Sequence, residues 1–166
     1  MANNVFFSEE ELEIMSRLLI ISVREVIVAD GEMLNEEFGP LTFSLNNPNL
    51  FPIPIVADVF HYMNEKGSDY ALNIMKEFNE SNVGDIFYET TSYGKRVLDN
   101  LSKKDKADFL TGFYGLLLET VHADGYKDDE ETAASLDIMR SVTDLSLKDV
   151  YKMDRTWRKK ARRFGH

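Results

Sequence analysis

Two stretches of the chain are apolar on nearly every side of a helical wheel. From Ser8 to Ala29, Leu12, Met15, Leu19, Val23 and Val26 form one stripe at helical spacing, and Leu18, Ile21 and Val28 widen it. Little polar surface is left there beyond Glu13, Arg17 and Arg24, so a central, buried helix is predicted. Ser8 with Glu11 three residues on is a capping box that fixes its start. The second stretch, Ser102 to Ala123, carries Phe109, Leu110, Phe113, Leu116, Leu117 and Val121, with Gly112 and Gly115 allowing a neighbour to come close.

Shorter amphipathic segments fill the rest. A short helix is expected from about Asn35. All four prolines then fall between Pro40 and Pro54, beside Asn46, Asn47 and Asn49, and predict a loop or single turns pressed onto the core by Phe43, Leu45, Leu50, Phe51, Ile53 and Ile55. Helices are expected at 55–65 and from Ser68, the latter burying Ala71, Ile74, Met75 and Phe78. The signal weakens over 81–93, where short helical turns are expected, followed by a short helix over 93–101. Asp128 with Glu131 should cap a helix that buries Ala134, Leu136, Met139 and Val142, and Ser146 with Asp149 should open the last one. The expected fold is all-α: one helical domain over 1–166, of two related halves and about seven to nine helices, with 146–166 a basic C-terminal helix.

Both long helices end in the same words. Glu25, Ala29-Asp30-Gly31 and Glu36-Glu37 recur ninety-four residues later as Glu119, Ala123-Asp124-Gly125 and Glu130-Glu131, a shared E-x-x-x-A-D-G-x-x-x-x-E-E. The recurrence points to an internal duplication. Gly31 and Gly125 are placed for the left-handed conformation just past a helix end. An aspartate at the negative end of the helix dipole costs roughly 0.3–1 kcal/mol, and something must offset that twice. Two roles compete for Asp30 and Asp124. They can cap the next helix, or they can join Glu37 and Glu131, Glu36 and Glu130, and Glu25 and Glu119 in holding a hard divalent cation, Ca²⁺ or Mg²⁺, through oxygen ligands.

With this motif the chain resembles the TerB-like tellurite-resistance proteins, small all-helical domains. The resemblance rests on an A-D-G ending a long apolar helix, a glutamate seven positions after the aspartate (Asp30 to Glu37, Asp124 to Glu131), and the recurrence of that unit; it covers roughly 8–142. It implies a non-enzymatic role in stress and toxic-oxyanion resistance, with the acidic motif positions as metal ligands. The first copy departs by carrying Leu34 where Asp128 stands in the second. The metal candidates are therefore Asp124, Asp128, Glu130, Glu131 and Glu119, with Asp30, Glu36, Glu37 and Glu25 expected to bind less well.

Composition narrows the field of alternatives. Cysteine is absent, which removes disulfides and thiolate metal sites and fits a reducing compartment. The first residues show neither a basic start nor a long apolar run, so the expected location is the cytoplasm. No nucleophile setting or phosphate-cradling loop is recognisable. Asp58-x-x-His61 and Glu119-x-x-His122 imitate the acid-and-histidine pairs of di-iron carboxylate bundles, but His122 falls in the last turn of its helix rather than in mid-bundle. A plain helical interaction domain whose acidic motifs only cap helices is the main alternative, and a di-iron enzyme is a third.

The net charge of −10 argues against the whole chain gripping nucleic acid, and other proteins are the expected partners. The charge is uneven, however: 152–166 holds seven basic residues and one acid, leaving −16 on the rest. Leu147, Val150, Trp157 and Ala161 are expected to dock this tail on the body while its basic face offsets that charge; a patch for nucleic acid or an anionic membrane is the competing use.

Overall fold

Local capping chemistry sets where the helices begin. The computed structural model describes residues 6–29, 31, 35–80, 82–123 and 129–162, and over these it is helical, with no strand. Eight α-helices follow one another: α1 (Glu9–Val28), α2 (Gly39–Asn46), α3 (Pro54–Glu65), α4 (Tyr70–Glu80), α5 (Val83–Asp99), α6 (Lys103–His122), α7 (Asp129–Val142) and α8 (Leu147–Lys160). Two 3-10 turns, Asn35–Phe38 and Pro48–Leu50, flank α2. Ser8 accepts from the Glu11 amide at 3.2 Å while Glu11 reaches back to the Ser8 amide at 2.8 Å, and Ser146 with Asp149 repeats the box at α8. Among the described residues no helix is long and apolar enough to cross a membrane.

The duplication is visible in the backbone. α1 and α6 are each 20 residues long and start and stop ninety-four residues apart. Their caps Ser8 and Ser102 are both extended, and their C-caps Ala29 and Ala123 have nearly the same angles, φ −63° with ψ −30° and φ −63° with ψ −29°. Gly31 takes φ +83°, as the turn requires. The second helical segment of each copy starts in register too, at Asn35 and at Asp129. α1 packs on α6; α7 lies against both, and α2 with its preceding 3-10 turn lies against α6. Each long helix thus receives part of its cover from the other copy, which an almost all-round apolar surface needs.

Three departures from the sequence expectations have physical causes. The proline-rich stretch is mostly helical rather than loop, because Pro40, Pro48 and Pro54 sit in the first turns of α2, the second 3-10 turn and α3, where a missing amide hydrogen breaks no bond. The stretch 83–99 is one continuous helix, not turns followed by a short helix. Its buried side is made largely of Thr90, Thr91 and Gly94, with Val97 and Leu98, and such small residues hide the apolar period. In α8, Met153 and Trp157 are buried as the docked side, as is the C-cap Ala161, but Leu147 is 69% exposed and faces solvent.

The glycines of α6 set how closely α3 and α8 approach. A Cβ on Gly112 would lie 2.6 Å from Val56 Cγ2, and one on Gly115 would lie 2.0 Å from Trp157 Cδ2. Trp157 fills that space completely, tilted against Phe51 with ring centroids 5.5 Å apart.

A polar network ties α1 to α3 and α4. Glu13 Oε2 accepts from the hydroxyls of Tyr62, at 3.0 Å, and Tyr70, while Arg17 bridges Glu13 to Glu77. Burial acts to raise the Glu13 pKa, but hydrogen bonds from Tyr70, Tyr62 and Arg17 outweigh it and hold the carboxyl below its ordinary value. Burial and the same carboxylate push Tyr62 up to about 12. A depressed carboxyl stabilises the fold above its unfolded pKa of about 4.3, and that contribution is lost as pH falls through the folded value. Glu13→Gln is therefore expected to lower urea stability at neutral pH and to lose its difference from wild type as pH falls through the folded value of the Glu13 carboxyl, which circular dichroism across the acid range measures. A difference that stays constant would show that Glu13 acts by packing alone.

Candidate functional site

The two segments that carry the shared motif follow α1 and α6 in the chain. Of the nine predicted ligands, Asp30, Asp124 and Asp128 lie outside the described residues, as do the side chain of Glu36 and Gly125. The Asp128 cap expected for α7 falls there as well. The other five ligands take three different positions.

Glu37 and Glu131 occupy matching places and behave alike: each is 1% exposed, and each is engaged in interactions. Glu131 is in the first turn of α7 and Glu37 in the 3-10 turn that leads into α2. Helix N-terminal amides favour negative charge, which helps explain how a carboxylate can be held out of water at these positions. Their neighbour in the motif does the opposite, since Glu130 is exposed.

Glu25 and Glu119 are tied to other tasks. Arg24 Nη1 donates to Glu25 Oε1 at 2.8 Å, while Arg24 Nε donates to Asn79 at 3.0 Å, so this pair joins α1 to α4. Glu119 Oε1 accepts from the Trp157 indole at 3.2 Å and joins α6 to α8. Both face elements that cover the long helices.

The acid-and-histidine pairs are dispersed in chemistry as well as position. Burial raises the Asp58 pKa, with His61 acting against it. His122 is exposed at the end of α6, and its partner in the motif is the Glu119 that receives Trp157. Among the described residues no three histidine, aspartate or glutamate side chains gather as a metal site would need. A hard cation would find carboxylate oxygens here and, without cysteine, no thiolate. Glu37 and Glu131 fit such an ion by donor type.

One feature had no sequence signal. A cavity of about 560 Å³ opens between α2, α3 and α4, lined by Leu41, Leu45, Met63, Ala71, Leu72 and Met75 among others. Asn64 Nδ2 donates to Leu45 O at 2.8 Å beside it. Part of this wall comes from the stretch whose prolines suggested a loop, which is why the periodicity did not reveal it.

Comparison with protein-family models, with curated proteins and with solved structures finds no match.

Proposed function

We propose that this chain is a non-catalytic, TerB-like binding module whose duplicated acidic loops take up a divalent cation, Ca²⁺ or Mg²⁺. The observation that supports this reading best is the twin burial of Glu37 and Glu131, 1% exposed in both copies. Capping alone does not require such burial: Glu11, which completes the capping box of α1, is only partly buried. A carboxylate drawn inside needs hydrogen bonds or positive charge around it. By sequence, Asp30, Asp124, Asp128 and Glu36 supply further oxygens near Gly31 and Gly125. Ca²⁺ takes about six to eight oxygen ligands, some from backbone carbonyls and water, so carboxylates from one or both loops can serve. By the sequence resemblance alone, such a module would serve in stress and toxic-oxyanion resistance.

Glu25 and Glu119 act here as positioning residues: through Arg24 and Trp157 they tie α1 to α4 and α6 to α8, the long helices from which the two motifs extend. The second copy has the richer acid set, with Asp128 where the first has Leu34. Calorimetric titration with CaCl₂ and MgCl₂ is the test. Wild type should give saturable heat, Asp124→Asn should weaken it strongly, and Asp30→Asn should weaken it less. If the motifs only cap helices in an interaction domain, wild type gives no binding heat, and Asp124→Asn shifts stability by only a few tenths of a kcal/mol, since asparagine caps about as well. Equal losses in both variants would show one site shared by the two loops.

A further inference from the structure

The outward side of α8 is a separate feature that the cation reading does not use. At 100° per residue, Leu147, Arg158, Tyr151, Arg155, Lys148, Lys159 and Lys152 fall within an arc of about 140°. All seven are exposed, and every charged residue in that arc is basic. Met153 and Trp157 occupy the opposite side, buried against the body, and α8 packs along α6. Asp154 stands at the edge of the arc, held by Tyr114 at 2.8 Å and by Arg158 at 2.8 Å. Among the described residues Lys148, Lys152, Arg155 and Lys159 make no ion pair with any carboxylate. Of this arc, among the described residues, Arg158 makes an ion pair, with Asp154 of the same helix, and the other four basic side chains are turned outward.

We infer that α8 is a peripheral membrane-docking helix whose exposed side binds an anionic lipid surface. The charge argues for a polyanion, and the two apolar side chains inside the basic arc choose among polyanions. Leu147 and Tyr151 are one turn apart, 69% and 63% exposed, and surrounded by lysine and arginine. At a bilayer surface lysine and arginine meet the headgroups, the tyrosine ring sits at the interface, and leucine enters the acyl boundary. A phosphodiester backbone would use the same cations and leave Leu147 in water. An acidic peptide could use both, in the open depression lined by Leu147, Tyr151, Lys152, Arg155 and Arg158, and binding of such a peptide is an outcome of the test below. The contact suits a plane: α8 spans about 21 Å, packs along α6 on one side and leaves the basic arc exposed along the other.

Co-sedimentation of the full chain with vesicles tests this. It is expected to pellet with vesicles of equal parts phosphatidylserine and phosphatidylcholine, to stay in solution with phosphatidylcholine alone, and to be released by molar salt. Lys152→Glu with Arg155→Glu changes the charge of the face by four and should weaken partitioning on the order of a hundredfold or more. Leu147→Ala with Tyr151→Ala should weaken it about tenfold while leaving the charge unchanged. These side chains are exposed, and circular dichroism checks that each variant keeps its helices. Failure to pellet with the anionic vesicles overturns the inference, as does binding that survives the charge reversal. Tighter binding to duplex DNA or to polyglutamate than to the vesicles, at matched salt, also overturns it.

Discussion

Replacing Gly115 by alanine is expected to destabilise the fold by about 3 kcal/mol, the upper part of the range for overpacking a filled core. The added methyl group would overlap Trp157 ring atoms at 2.0, 2.2 and 2.3 Å, separations that no small adjustment relieves. The indole has nowhere to go: it is 1% exposed, tilted against Phe51, and anchored through Nε1 to Glu119. Either α8 moves away from α6 or the indole leaves its site, and both separate Trp157 from Glu119. Because Trp157 is the single tryptophan of the chain, its emission reports the event directly. Urea unfolding followed by fluorescence should show a lower midpoint and a red-shifted native spectrum. Gly84→Ala is the control, because a Cβ there meets only Asn82 at an ordinary 3.6 Å. Equal stability in the two variants would mean that α8 is not packed against Gly115 in solution.

Much of the fold was legible because its strongest signals are local. Ser8, Ser102 and Ser146 mark the starts of α1, α6 and α8, and their side chains accept from the amides three residues on. The duplicated motif placed the two long helices in register, and both run over the same matched positions. What failed were rules about average behaviour. Proline breaks a helix interior but begins a helix well, and the sequence alone does not say which of these a given proline does. The α5 helix hides because its contact with the core uses threonine and glycine: a Cβ on Gly94 would come within 3.0 Å of Leu18, so close approach replaces apolar bulk.

For the candidate site, the sequence located a set of acids but could not sort them. Glu36 and Glu37, like Glu130 and Glu131, are chemically the same, and only the phase of the helix decides that Glu131 turns inward and Glu130 outward. Glu25 and Glu119 looked equivalent as well. Their partners differ, an arginine next in sequence and a tryptophan thirty-eight residues away. The Glu13 network was missed for a related reason, since Tyr62 and Tyr70 come to it from helices remote in sequence. Likewise the basic tail showed its charge in the sequence, but which way that charge faces depended on Met153 rather than Leu147 being the docked side chain.

The twin glutamates carry the functional account, so the most direct test compares wild type with the double variant Glu37→Gln, Glu131→Gln in thermal unfolding with and without calcium. Glutamine keeps the size and hydrogen-bonding reach of each side chain and removes the two buried carboxyl groups. A ligand that binds only the folded state stabilises it by about 2.7 kcal/mol at a hundred times its dissociation constant. For a chain of this size that corresponds to a rise in midpoint of roughly 5–11 °C. The account predicts such a rise for wild type on adding calcium or magnesium and little or none for a folded double variant. An unmoved wild-type midpoint at millimolar calcium and magnesium, or an equal rise in the double variant, would contradict it.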